Sequence, residues 1–282
     1  MHFDAAGYTR ALRRNWGGVA SEFARVSSGY FAPATDPFFA FALLEPGQQV
    51  LDVACGPGMS SRLAARRVAP SGRVLAVDLS PAMLRLARER RHPAGAAPVR
   101  YRTMNAEALQ LQARSFDAVL CHLGLMLFAR PEAAAAEMVR VLRPGGLLAC
   151  LVLGSAADMP FTSMLTTILP AYAPEMRAGG GPGLGDFALP GRMDELFARM
   201  GLREIRSERL RGTFAVPSMR RYWEISTRAF GRIGPILRSL PRATRREVRH
   251  RLFEKLATYE KGGRLEIPYE FVMARGVKPV RR

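Results

Sequence analysis

Between Gln49 and Leu153 the chain alternates two kinds of segment. Runs of consecutive apolar residues, VLDVA (50–54), RVLAVD (73–78), FDAVLCHL (116–123) and GLLACLVL (146–153), lack the apolar–polar alternation of a half-exposed strand, so they predict strands buried on both faces. VRYRTMN (99–105) adds a strand of mixed polarity. Between them, SSRLAARRVA (60–69), PAMLRLARERR (81–91) and PEAAAAEMVRVL (131–142) carry apolar residues at helical spacing. Strands and helices that alternate at this interval predict a parallel sheet covered by helices.

Local signals mark the boundaries. Ser80 before Pro81 reads as an N-cap followed by proline at the first helical position, and Pro131 opens the next helix in the same way. RPGG (143–146) reads as the turn that ends that helix. Ahead of the core, Tyr8, Leu12, Trp16, Val19 and Phe23 predict a helix over Asp4–Arg25, then a Ser-, Gly- and Pro-rich loop through Pro37. Beyond Gly154 the alternation stops. A helical stretch, a Gly-rich loop (GGGPGLGD, 179–186), a helix at MDELFARM (193–200) and a strand at REIRSERL (203–210) follow. An Arg-rich helical region from Ser218 to Glu260 precedes a last strand, LEIPYEFVMARG (265–276). The expected organisation is an N-terminal helical lid (1–44), a core (45–212), a helical cap inserted before the last strand (213–263), and that strand with the C-terminal tail (264–282).

Composition narrows the class. With 282 residues, 48% hydrophobic and 23% charged, the chain is expected to fold around a sizeable core. The longest apolar run is too short to span a bilayer and the N-terminus lacks a signal-peptide pattern, so a cytoplasmic protein is expected. Cys55, Cys121 and Cys150 are odd in number and lie in or beside buried runs, which predicts reduced core thiols. Four histidines and no CxxC pair argue against a metal site. The net charge of +18 raises nucleic acid as a partner, but the cations are mostly arginines dispersed through helical segments, as on solvated faces.

The strongest chemical signal is VLDVACGPG (50–58), a buried strand that runs into a turn containing Gly56 and Gly58 and then a helix. Missing Cβ atoms let such a backbone approach a ligand closely. The next strand ends in Asp78, 20 residues after Gly58, at a distance where a carboxylate binds ribose hydroxyls. Asp52 stands before the glycines. It would repel a pyrophosphate yet attract an ammonium group directly or through water, which disfavours a dinucleotide.

In these residues the chain resembles the class I S-adenosylmethionine-dependent methyltransferases, with Ala54 where their first glycine usually stands. VLAVDLSPAML (74–84) is similar to the family's second motif, which implies Asp78 on the ribose and Leu79 and Met83 along the adenine. TMNAEAL (103–109) is similar to the third, which implies Asn105 and Ala106 at the adenine edge. FDAVLCHLGLMLF (116–128) and EMVRVLRPGGLL (137–148) resemble the corresponding segments of the quinone-biosynthesis-like branch. The resemblance implies a Rossmann-like, mostly parallel seven-stranded sheet with helices on both faces. It also implies a cofactor site of Asp52, Ala54, Cys55, Gly56, Gly58, Asp78, Leu79, Met83, Asn105, Ala106 and His122. His122, beyond the fourth strand, is either a general base or a contact to cofactor or carbonyl. Tyr8, Trp16, Tyr30, Tyr222 and Trp223 are candidate substrate-binding aromatics, each of which could equally be core.

The implied function is methyl transfer from S-adenosylmethionine, with S-adenosylhomocysteine as product, to a small-molecule acceptor such as a quinone-like compound or other secondary metabolite. RNA methylation is a second reading, disfavoured by the absence of an NPPY-type tetrapeptide after the fourth strand. A protein that keeps the fold without methylating is a third.

Overall fold

The computed structural model describes residues 3–173 and 183–280; the first part of the expected Gly-rich loop lies outside them. Strands β1 (Gln49–Val53), β2 (Arg73–Asp78), β3 (Val99–Thr103), β4 (Phe116–His122) and β5 (Leu142–Leu153) lie parallel. Two long strands, β6 (Arg203–Val216) and β8 (Arg264–Val277), extend the sheet, and β8 runs antiparallel to both β5 and β6. The order is β3-β2-β1-β4-β5-β8-β6. A two-residue strand, β7 (Glu260–Lys261), pairs with the start of β8 across a tight turn in which Gly262 and Gly263 both take positive φ. The sheet is therefore a mostly parallel, Rossmann-like one of seven main strands.

Residues 50–53 of β1 and 118–122 of β4 are buried on both faces, as their unbroken apolar runs require. Helices α2 (Met59–Arg67), α3 (Pro81–Glu89) and α4 (Pro131–Val141) connect the parallel strands. Ser80 caps α3 by accepting from the Met83 N–H, with Pro81 at the first helical position. The RPGG segment is drawn into β5 and produces a register shift against β4, with Gly145 at φ +80°.

Three sequence expectations need correction. The N-terminal helix does not end near Arg25: α1 runs Ala5–Phe41 and contains both Pro33 and Pro37, where a loop was expected. Each proline removes one intrahelical donor, at about 3 kcal/mol or more. Phe31, Phe38, Phe39 and Phe41 on the same stretch are buried, each contributing roughly 1.5–3 kcal/mol, and this tertiary burial outweighs the local penalty. The Arg275 guanidinium, stacked 5.0 Å from the Phe41 ring and donating to the Phe41 carbonyl, ties the end of α1 to β8. The second correction concerns β6, which continues to Val216 because it pairs with β8 from Arg203 to Val216, well past the REIRSERL pattern. The third is the turn expected at 143–146, which is a bulge within a strand.

Helices α5 (Pro160–Ile168) and α6 (Arg192–Arg199) lie between β5 and β6, and α7 (Met219–Arg228), α8 (Gly234–Ser239) and α9 (Arg242–Ala257) lie between β6 and β8. Cys55, Cys121 and Cys150 are buried free thiols, the last two opposite each other on β4 and β5. Among the described residues no helix is long and apolar enough to cross a membrane. Many of the arginines behind the positive charge stand on the exposed edge strand β6 and on exposed positions of α9, as expected of solvated faces.

Candidate functional site

The strand order reverses between β1 and β4, because β2 and β3 lie on one side of β1 and β5 on the far side of β4. In open α/β sheets a crevice forms at the carboxyl ends of the strands at such a point. A cleft lies there. Its floor comes from the segments that follow β1 (Ala54–Pro57), β2 (Asp78–Ser80), β3 (Met104–Glu107) and β4 (His122–Gly124), and α1 supplies its roof through Trp16, Phe23 and Phe31. The Trp16 and Phe23 rings meet nearly perpendicularly at 5.0 Å, and Phe31 follows at 6.3 Å from Phe23.

The two glycines have different tasks. Gly56 takes φ +52°, and a Cβ there would meet only the edge of the Phe23 ring at 3.9 Å. Gly58 takes φ +80°, and a Cβ there would lie 2.9 Å from the Tyr101 hydroxyl and 3.0 Å from the Ala87 Cβ. Gly56 thus leaves the cleft open, whereas Gly58 allows α2 to pack on α3 and β3. Ala54, in the place of a glycine, is held at φ +58°.

Asp78 bridges the tips of β1 and β2: one carboxylate oxygen accepts from the Gly56 N–H and the other from the Ser80 N–H, both at 2.8 Å. Burial raises its pKa, against the pull of the Ser80 and Gly56 N–H groups. Each oxygen keeps a lone pair for a ligand in the cleft. Asp52 sits behind the wall, fully buried, where one oxygen accepts from the Ser60 and Ser61 hydroxyls at 2.7 and 2.6 Å. Its other oxygen has no protein partner. Burial pushes its pKa up to about 6, the two serine hydroxyls only partly opposing it.

His122 lines the cleft with its ring edge-on to Phe38 at 5.4 Å. The Thr35 hydroxyl donates its single proton to the Phe31 carbonyl at 2.6 Å, so the Nε2–H of His122 donates to Thr35 Oγ1 at 3.3 Å. Burial lowers the imidazole pKa to about 4, which leaves it neutral at physiological pH. With the folded value below the unfolded one, the unfolded chain binds more protons between about pH 6.5 and 4, and the stability His122 contributes above that window is lost as pH falls through it. Asp52, with its raised value, changes in the opposite sense over a largely overlapping window, and equally in both proteins. The expected result is that wild type loses about 2 kcal/mol relative to His122→Gln between pH 7 and pH 5. Urea unfolding at both pH values measures this, and a constant difference between the two proteins would show that burial does not hold the imidazole neutral.

Of the residues expected at a cofactor site, Ala54, Cys55, Gly56, Asp78, Leu79, Met83, Asn105, Ala106 and His122 all line the cleft. Asp52 and Gly58 stand behind it. Of the five candidate substrate aromatics, Trp16 reaches the cleft. Tyr222 is fully buried and donates to the Phe161 carbonyl at 2.5 Å, Tyr30 packs on Phe161 and Phe214, Trp223 packs against the core, and Tyr8 lies against Phe3. Sequence reasoning did not single out Phe31 or Glu107. Phe23 stands two helical turns after Trp16 and Phe31 about two more, a spacing that continues the apolar stripe into the region read as loop. Glu107, buried and paired at 2.9 Å with Arg130, also lines the cleft.

Adjoining the cleft is a second cavity that shares Trp16, Phe23, Phe31, Leu123 and Leu127 with it. Its farther walls come from α5 and from the segment between α7 and α8, chiefly Phe161, Leu165, Phe230 and Ile233.

Residues 51–150 match the family described as "Methyltransferase domain". An uncharacterised protein of Mycobacterium tuberculosis is 36% identical over 157 residues, 56% of this chain and 55% of that one. A ubiquinone/menaquinone biosynthesis C-methyltransferase of Bordetella parapertussis is 37% identical over 131 residues, 46% of this chain and 47% of that one. The chain thus spans about half the length of these relatives. A phosphoethanolamine N-methyltransferase of Haemonchus contortus, solved with phosphomonomethylethanolamine and S-adenosylhomocysteine, superposes with a TM-score of 0.61 at 20% identity, over 97% of this chain and 60% of that one. Residues 51–150 thus match the methyltransferase-domain family, and the chain as a whole shares its fold with this N-methyltransferase.

Proposed function

We propose that this protein binds S-adenosylmethionine in the cleft and methylates a small, largely apolar acceptor, quinone-like or another secondary metabolite, in the adjoining chamber. The observation that carries the reading is the placement of the cleft at the strand-order reversal beside an apolar cavity, with Trp16, Phe23, Phe31, Leu123 and Leu127 lining both.

The residues of the cleft fit the cofactor. Asp78 offers lone pairs to the ribose hydroxyls, Leu79 and Met83 offer apolar surface, and Asn105 at the end of β3 offers amide groups to the adenine edge. The unpartnered oxygen of Asp52 behind the turn supplies negative potential toward an ammonium group. When bound, S-adenosylmethionine supplies a methyl group activated by a sulfonium. The protein's part is to orient the acceptor and keep water out, and the aromatic roof of Trp16, Phe23 and Phe31 does both. Neutral His122, with a pKa near 4, is a weak base toward a phenol of pKa about 10, so its placement supports contact and positioning over proton removal.

The apolar lining of the second cavity also disfavours the RNA reading, since a polynucleotide is held in a basic groove. Methyl-labelled S-adenosylmethionine, incubated with the protein and a panel of quinols, phenols and aromatic acids, tests the proposal. Label in an organic extract dependent on the protein supports it. Label in RNA alone, or in no acceptor while the cofactor binds, overturns it in favour of the second or third reading.

A further inference from the structure

The positive charge on β6 and on α9 is arranged differently. On β6, exposed Arg203 and Arg206 stand beside Glu204 and Glu208, and Arg209 and Arg211 pair with the buried Glu270. On α9 the signs are sorted by face. Arg242, Arg246 and Arg249 follow one another at intervals of four and three residues, so they share one face of the helix, with Arg245 at its margin. These three are exposed, and among the described residues none of the four arginines makes an ion pair. The two acids of the helix, Glu247 and Glu254, lie roughly 120° around its axis. There Arg251 and the Tyr172 hydroxyl engage Glu247, and His250 stands 3.3 Å from Glu254. A solvated face normally carries both signs at such spacings, as that flank does, whereas like charges three and four residues apart destabilise a helix. A layer of fixed anions relieves this repulsion.

We propose that α9 docks the protein on an anionic phospholipid bilayer, with Arg242, Arg246 and Arg249 among the lipid headgroups. Val248, Leu252 and Leu256 form the buried seam of α9, and most of its remaining circumference is exposed, so it presents a convex ridge to a flat surface. Single-stranded nucleic acid is held instead in a groove with free aromatic faces. Phe253, the aromatic residue on this stripe, is half-buried with the Arg249 guanidinium 6.0 Å from its ring centre. Docking goes beyond the methyltransferase reading and takes from it only a reason for lipid. An apolar acceptor dissolves in a bilayer, and α9 packs on α5, which supplies Phe161 and Leu165 to the wall of the apolar cavity.

Co-sedimentation of the full chain with vesicles tests the docking face. Wild type is expected to bind vesicles of equal parts phosphatidylglycerol and phosphatidylcholine, to leave phosphatidylcholine alone unbound, and to be released as salt rises. Each arginine near such a surface contributes about fivefold in binding, so the combined Arg242→Glu, Arg246→Glu and Arg249→Glu variant is expected to lose at least about a hundredfold. Lysine at the same three positions keeps the binding, because a headgroup layer responds to charge more than to fork geometry. Arg203→Glu with Arg206→Glu, which lowers the net charge on β6, is expected to change binding by less than about fivefold. No binding, binding without phosphatidylglycerol, or equal losses from the α9 and β6 variants overturns the docking face. Tighter binding of a single-stranded RNA than of the vesicles, lost in the α9 variant, overturns it in favour of nucleic acid. If the triple variant fails to fold, the three single reversals, each expected to lose about fivefold, decide in its place. S-adenosylhomocysteine is expected to bind the α9 variant as it binds wild type. Vesicle binding beside no cofactor binding in either protein defeats the methyltransferase reading alone, and normal cofactor binding without vesicle binding defeats the docking face alone.

Discussion

Asp78→Ala is expected to weaken S-adenosylhomocysteine binding about a hundredfold, or roughly 2 to 3 kcal/mol, while the protein stays folded. The side chain has two functions at the tips of β1 and β2. It accepts from the Gly56 and Ser80 N–H groups, which fixes the glycine turn against the start of α3. It also presents its remaining lone pairs to the cleft, where ribose hydroxyls complete charge-assisted hydrogen bonds. Alanine removes both. Asp78→Asn keeps one acceptor oxygen and should lose about tenfold. Isothermal calorimetry gives the affinities and thermal unfolding reports the fold. Unchanged affinity in Asp78→Ala would remove the ribose from this strand tip.

Gly58→Ala is expected to destabilise the fold by about 2 to 4 kcal/mol, whereas Gly56→Ala costs about 1 kcal/mol. Both residues have positive φ, so both variants carry backbone strain of about 1 kcal/mol or slightly more. The difference lies in what the new methyl group meets. At Gly58 it overlaps the Tyr101 hydroxyl and the Ala87 side chain, which forces α2 away from α3 and adds about 1 to 3 kcal/mol of overpacking. At Gly56 it enters nearly open space below Phe23, and Ala54, two residues earlier, already carries a methyl group at positive φ. Urea unfolding of the two variants distinguishes them, and equal destabilisation would contradict the division of labour between the glycines.

The parallel core was legible because its signals are local and agree with one another. Apolar runs without alternation mark β1, β2, β4 and β5, and Ser80-Pro81 marks the start of α3. The same locality made the strand tips legible as a site, since a short loop after a buried strand has to end at the carboxyl edge of the sheet. What could not be read depended on distant partners. Pro33 and Pro37 argue locally for a loop, and only the burial of Phe31, Phe38, Phe39 and Phe41 against the rest of the molecule explains why the helix continues. β6 is long because β8 is there to pair with it. Tyr222 and Trp223 have the composition of a binding surface, but α7 turns Tyr222 into the core, where its hydroxyl meets the Phe161 carbonyl. Asp52 was legible as an acidic residue next to the turn, but its hydrogen bonds to Ser60 and Ser61, which hold it behind the wall, were not.

The methyltransferase reading requires the cleft between β1, β2 and β4 to be an S-adenosylmethionine site. Calorimetric titration of the wild-type chain with S-adenosylhomocysteine tests it most directly. One site per chain is expected, with a dissociation constant in the micromolar range, about −8 kcal/mol. Folded, cofactor-free protein that gives no binding would contradict it.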